Sequence, residues 1–273
     1  MTKRIAICAP STPFSRSDAA RVTALAAAEF PSLELIFHDQ CFASEGHFAG
    51  PDAQRLSAFV ECANDPAFDA VWFVRGGYGA NRIAMDALAL LGPAASDKHF
   101  LGYSDAGTLL GLLYRARIGR QVHAPMPNDI RRAGGDAAVR RTLAWLGGST
   151  SGLEPSLDGQ TPAVAFNLMT LAMLCGTPLL PDLAGHVVMI EEVAEYDYAV
   201  DRLLFSVTNH LASMGIAGLR LGRVSDVPEN DRPFGCAVED MVRFWCARTG
   251  ISYLGDADIG HDVDNKIVPF GLA

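Results

Sequence analysis

The sequence is short of the features that commit a chain to nucleic acid, to a membrane or to an oxidising exterior. Basic residues number 22 against 31 acidic ones, a formal net charge of −9. A bulk nucleic-acid binder needs a basic surface, as does a protein docking on anionic lipid; the balance excludes both and leaves room only for a local basic pocket. No stretch approaches the ~18 consecutive apolar residues of a spanning helix. The apolar run after Lys3-Arg4 is too short for a secretory signal and reads as a first β-strand. Cysteine is scattered: Cys8, Cys41, Cys62, Cys175, Cys236 and Cys246 contain no C-x-x-C pair. That excludes a zinc ribbon and thioredoxin chemistry and predicts buried thiols in a reducing cytoplasm.

What is present is a globular composition, 49% hydrophobic and 19% charged over 273 residues, enough for one large domain or two ordinary ones. Short apolar runs at Lys3–Ala9, Leu33–His38, Ala70–Val74, Phe100–Tyr103 and Gln121–His123 predict strands. Amphipathic runs at Asp18–Glu29, Ala53–Ala63, Asn81–Leu91, Asp105–Ala116 and Ala137–Leu146 predict helices between and after them. This alternation signals βαβ units and a parallel sheet, in which chemistry gathers beyond the carboxyl ends of the strands.

Residues 147–162 are rich in Gly, Ser, Thr and Pro and read as a linker. They divide the chain into units 1–146 and 163–273. In the second unit the apolar run Ala165–Leu174 reads as a helix, followed by a strand His186–Glu191, a helix Tyr198–Leu211, a strand near Gly215–Gly222, a helix Ala237–Arg248 and an extended segment Lys266–Val268.

Three segments could carry chemistry. Arg75-Gly76-Gly77-Tyr78-Gly79 joins a strand to a helix, and its glycines would expose N–H groups suited to a phosphate or an oxyanion. It matches neither G-x-G-x-x-G nor a Walker loop. In Gly102-Tyr103-Ser104-Asp105-Ala106, Ser104 stands where a nucleophile elbow would place it, but Ala106 replaces the second glycine of G-x-S-x-G, and from this segment alone an ordinary helix N-cap accounts better for the Ser-Asp pair. A serine nucleophile needs a base and an orienting acid. Among seven histidines, His261 follows a glycine in a polar loop, with His123 at a strand end as the second candidate. Glu191 closes an apolar strand and is the candidate acid. Asp256-Ala257-Asp258-Ile259-Gly260-His261 fits no calcium loop, so neither a metal nor another cofactor is expected.

Together these segments resemble the LD-carboxypeptidase family, which includes muramoyl-tetrapeptide carboxypeptidases and microcin C self-immunity proteins. The resemblance is carried in order by Ala9-Pro10-Ser11, Gly46-His47-Phe48-Ala49-Gly50, Arg75–Gly79, Gly102–Asp105, Glu191–Glu195 and Gly260-His261 through Asn265, Pro269 and Gly271. It implies a flavodoxin-like N-terminal α/β/α domain and a smaller C-terminal β/α domain of swivelling type. It implies Ser104 as nucleophile, His261 as general base and acid, Glu191 as the residue orienting His261, and the backbone N–H groups of Gly77 and Asp105 as oxyanion donors. Arg75, Tyr78 and Asn167 are the candidate substrate-binding residues, Asn167 standing in a Phe166-Asn167 pair where the family commonly has Gly-Asn. Arg82 and Arg202 compete with Arg75 as reader of a terminal carboxylate. The implied activity is release of terminal D-Ala from muramoyl tetrapeptides by a cytoplasmic homodimer, with no nucleic-acid or membrane partner. Two alternatives stand beside it: a peptidyl-nucleotide hydrolase with the same triad, and a non-catalytic flavodoxin-like phosphate or nucleotide binder.

Overall fold

Successive residues of the first strand serve two different cores. In the computed structural model, which describes residues 2–272, Ile5 and Ile7 of β1 (Lys3–Cys8) pack on one side of a sheet and Ala6 and Cys8 on the other. Alternation with a period of two is what a pleated strand imposes. The same division holds for β3 (Ala70–Phe73), where Trp72 faces one core and Phe73 the other.

The first sheet has the order β10-β5-β4-β3-β1-β2. Here β2 is Leu33–Phe37, β4 His99–Gly102, β5 Arg120–His123 and β10 Val268–Pro269. Strands β1 to β5 are mutually parallel. Helices α1 (Arg16–Glu29) and α5 (Gly135–Leu146) cover one face; α2 (Asp52–Asn64), α3 (Ala80–Leu90) and α4 (Gly107–Ala116) cover the other. Because β1 leads to its neighbour on one side and β3 to its neighbour on the other, a crevice opens between their carboxyl ends.

The second sheet, β6-β7-β8-β9, is also parallel. It comprises β6 (Ala163–Asn167), β7 (Val187–Val193), β8 (Gly218–Ser225) and β9 (Tyr253–Asp256), with α6 (Leu168–Leu174), α7 (Asp197–Met214) and α8 (Val238–Thr249). These three helices share a continuous core with α2, α3 and α4.

Four differences from the sequence reading have physical causes. The run Ala165–Leu174 is not one helix: β6 occupies Ala163–Asn167, all buried, and α6 begins only at Leu168. A short continuous apolar run cannot distinguish buried strand from buried helix. Asn167 ends the ambiguity by capping α6, its side chain accepting from Thr170 N at 3.0 Å. The helix expected from Asp105 begins at Gly107, after a 3-10 turn over Ser104–Ala106. Strand β10 leaves the second unit and pairs antiparallel with β5 of the first sheet, Val268 opposite His123. Finally, all six cysteines are free, but Cys236 is exposed and Cys175 half-buried; the other four are buried.

Candidate active site

Three loops at the carboxyl ends of β1, β3 and β4 meet in the crevice, and a loop from the second sheet closes over them. Ser104 directly follows Tyr103 at the end of β4 and holds φ at +60°, one of four non-glycine residues in the left-handed region among the described residues. Such a conformation costs ~1–3 kcal/mol and persists where the surroundings enforce it. It is the sharp turn that sets a nucleophile clear of its sheet. The capping alternative does not hold: neither the 3-10 turn nor α4 receives a side-chain cap.

The glycine loop approaches this serine closely. A Cβ on Gly76 would lie 2.7 Å from Ser104 Cβ and 2.8 Å from its Oγ, and 3.4 Å from Asp105 N. Only glycine leaves room there. Gly77 has φ +104° and Gly79 φ +140°, conformations that favour glycine for backbone reasons. Among the described residues, the N–H groups of Gly77 and Asp105 donate to no protein acceptor. The Asp105 carboxylate accepts from Ser11 Oγ at 2.5 Å and from Ala80 N at 2.9 Å. Burial raises its pKa, against the opposing effect of those hydrogen bonds.

From the second sheet, Glu191 of β7 is fully buried, and one carboxylate oxygen accepts from His261 Nδ1 at 2.5 Å. The other oxygen has no hydrogen-bond partner among the described residues. With Nδ1 bound to Glu191, Nε2 is the imidazole nitrogen left for chemistry. Burial by itself would lower the His261 pKa, but the nearby carboxylates, Glu191 first and then Glu192 and Asp129, together outweigh it and raise the value. The His261 ring packs 4.8 Å, centroid to centroid, from Tyr103, the residue preceding Ser104. The Tyr103 hydroxyl donates to Asp129 at 2.8 Å, and burial raises its pKa, so the phenol stays protonated.

His123 has a different place. It is buried, its Nε2 lies 2.9 Å from Asn265 Oδ1, and burial lowers its pKa. The same Asn265 oxygen accepts from Gly260 N at 3.2 Å, so His123 braces the loop carrying His261. Arg141 of α5 adds two bonds to that loop, to Val263 O at 2.9 Å and Asn265 O at 2.8 Å. Arg223 of β8 pairs with Asp258 at 2.5 Å and with Asp262.

The three arginine candidates separate clearly. Arg82 grips Asp52 through contacts of 2.8–3.0 Å, and Arg202 lies over the Tyr198 ring at 5.6 Å. Arg75 is half-buried, has no carboxylate partner among the described residues, and touches only Pro13 O at 3.2 Å. Burial, and then the nearby Arg131, lower its pKa. Tyr78 is exposed beside His47 and Phe48, at ring separations of 6.2 and 6.0 Å. Asn167 has both ends of its amide engaged, in the helix cap and in a 2.7 Å bond to Glu192.

Sequence reasoning gave no role to Arg55, Tyr103 or Asn265. Arg55 carried a readable signal: with Ala58, Phe59 and Cys62 it lies on the buried face of α2, an unusual position for a charge. Among the described residues no cluster of three or more His, Cys, Asp or Glu is disposed to hold a metal.

Two family models match the chain. The family model of the LD-carboxypeptidase N-terminal domain matches residues 5–124, and that of the C-terminal domain matches residues 160–273. A Streptomyces coelicolor relative, provisionally named a carboxypeptidase, is 31% identical over 83% of this chain and 74% of its own. The murein tetrapeptide carboxypeptidase of Pseudomonas aeruginosa is 26% identical over 82% of this chain and 78% of its own. Among solved structures, the muramoyltetrapeptide carboxypeptidase of Oxalobacter formigenes shares the fold with a TM-score of 0.78 at 24% identity, covering 97% of this chain and 93% of that one.

Proposed function

The chain belongs to the LD-carboxypeptidase family and is a serine-type carboxypeptidase, and on that premise we propose that it releases terminal D-Ala from muramoyl tetrapeptides during peptidoglycan recycling. The observation that carries the site assignment is the buried Glu191–His261 pair packed against Tyr103, next to the strained Ser104.

In this reading Ser104 Oγ attacks the carbonyl carbon of the bond between the L-centre of the diamino acid and D-Ala. His261 Nε2 takes the hydroxyl proton, and Glu191 holds the imidazolium that forms. The oxyanion is met by Gly77 N–H and Asp105 N–H; loss of one such donor typically costs ~3 kcal/mol. The C–N bond then breaks, His261 returns its proton to the departing amine, and D-Ala leaves. Water, deprotonated by His261, attacks the Ser104 ester and frees the shortened peptide. Arg75 suits a terminal carboxylate: it is half-buried beside the glycine loop with no carboxylate partner among the described residues, whereas Arg82 is held by Asp52 and Arg202 is exposed. Tyr78 would flank the substrate, and Asn167 would support the site from beneath.

We assign the nucleophile to unit 1–146 and the acid and base to unit 163–273, joined by 147–162. We also assign the enzyme to the cytoplasm, in keeping with its six free cysteines, and to a homodimer, for which the exposed Phe205 and Phe244 on α7 and α8 offer an apolar face. No helix among the described residues is long and apolar enough to cross a membrane. Incubation with a muramoyl tetrapeptide, following free D-Ala, tests the activity; intact tetrapeptide after prolonged incubation would contradict it. Light scattering tests the dimer, which a monomer mass would exclude.

A further inference from the structure

The segment Ser11-Thr12, in the loop after β1, has no part in the mechanism above, yet it is bonded to the peptide that carries Gly77 N–H and to the Asp105 side chain. Thr12 is buried, and its hydroxyl donates to Gly76 O at 2.6 Å. Gly76 C=O and Gly77 N–H belong to one planar trans peptide and point in opposite directions. Fixing the carbonyl on Thr12 therefore turns Gly77 N–H away from Thr12. Thr12 also leaves no freedom on that side, because a Cβ on Gly77 would lie 2.9 Å from Thr12 Oγ1.

Ser11 acts on the second donor. It is fully buried and holds the Asp105 carboxylate at 2.5 Å; the same oxygen accepts from Ala80 N at 2.9 Å. Asp105 is thus tied to the β1 loop and to the start of α3 at once. Arg55, fully buried in α2, completes the brace: one guanidinium nitrogen donates both to Pro10 O and, at 2.9 Å, to Gly79 O. The glycine loop is pinned at Gly76 by Thr12, at Gly79 by Arg55 and at Ala80 through Asp105.

We propose that Ser11 and Thr12 are positioning residues that set the two halves of the oxyanion hole, Thr12 aiming Gly77 N–H and Ser11 anchoring the turn that presents Asp105 N–H. The inference rests on the serine-carboxypeptidase reading and adds two buried residues that act through the oxyanion-hole backbone. Backbone donors stabilise a transition state only when aimed at where its charge develops. A misplacement of about 1 Å can cost ~10²-fold in rate.

The test uses Thr12→Val, which removes the hydroxyl at similar shape, Thr12→Ser, which restores it, and Ser11→Ala, all in the full chain. Release of D-Ala from muramoyl tetrapeptide gives kcat and KM, and a peptide boronic acid that forms a tetrahedral serine adduct reports transition-state affinity. Thr12→Val and Ser11→Ala should each lower kcat about 10- to 100-fold, with KM within about twofold. Boronate affinity should fall by the same factor as kcat/KM, and Thr12→Ser should recover most of both. Ser11→Ala carries the test if Thr12→Val does not fold. Wild-type kcat in folded Thr12→Val and Ser11→Ala, beside an inactive Ser104→Ala, would overturn the proposal. So would a lowered kcat with unchanged boronate affinity. An active Ser104→Ala would instead overturn the parent reading, and this one with it.

Discussion

Glu191 and His261 meet at 2.5 Å, a carboxylate from a central strand of the second sheet and an imidazole from a loop that returns to the first. Neither is open to solvent to any useful degree: the side chains are 0% and 9% exposed. A buried contact of this kind fixes the tautomer as well as the ring position. Replacing Glu191 with Gln keeps the shape but removes the charge that favours an imidazolium. We expect kcat to fall about 10²- to 10⁴-fold with little change in KM. Steady-state kinetics on the tetrapeptide check this; a Glu191→Gln enzyme at wild-type kcat would remove Glu191 from the mechanism.

The same pair sets the pH dependence. In the proposed mechanism His261 must be neutral to accept the serine proton, and its pKa lies above the ordinary 6.5 because the surrounding carboxylates, Glu191 foremost, together outweigh burial. Activity should therefore fall as pH drops through a midpoint above 6.5, higher than an unperturbed histidine would give. In residual Glu191→Gln activity that midpoint should move down. A kcat/KM profile with its acidic limb below pH 6 would contradict the assigned base.

Gly76 is the position where sequence spacing and structural space diverge. Gly77 is the proposed donor, but Gly76 is the residue whose Cβ would strike Ser104. Its φ does not lie in the left-handed region, so alanine is compatible with the backbone and its effect would be local. Gly76→Ala should lower kcat at least about 10²-fold by displacing the hydroxyl, with a circular-dichroism spectrum like the wild type. Labelling of Ser104 by a fluorophosphonate should slow in parallel.

Arg75 and Arg82 form a matched pair for testing carboxylate recognition. Arg82 is neutralised by Asp52 and Arg75 is not. Arg75→Met should raise KM for a free-acid tetrapeptide about tenfold or more, while Arg82→Met should stay within about twofold. An amidated C-terminus should cost wild type much of its kcat/KM and cost Arg75→Met little. Equal loss in both enzymes would place the carboxylate reader elsewhere. Running a peptidyl-nucleotide substrate alongside discriminates the nucleotide-hydrolase alternative.

The first sheet was legible because its strands alternate with amphipathic helices, and β1, β2 and β3 fall within a residue of where hydrophobicity places them. The residues at their carboxyl ends could then be ranked, which is how Ser104 and the glycine loop came forward. Periodicity could not resolve β6 from α6: β6 is buried throughout, and α6 continues the apolar run with only Met173 exposed, so no alternation marks the boundary. It did not find β9, four residues with no buried stripe. The return of β10 to the first sheet is a non-local pairing that no local pattern encodes. The contacts of Thr12 and Asn265 are invisible for the same reason, since each acts on a residue at least 5 positions away, 64 in Thr12's case; the place of Arg55 on a buried helix face was readable, but its partner 24 residues away was not.

The central claim is that Ser104 forms the acyl-enzyme, and the most direct measurement is D-Ala release by wild type and Ser104→Ala on the same muramoyl tetrapeptide, with rapid acid quench and intact mass. The account predicts D-Ala from wild type, a transient mass increase mapped to Ser104, and a fall of at least about 10³-fold in Ser104→Ala with no adduct. Release of D-Ala by Ser104→Ala at the wild-type rate would contradict it.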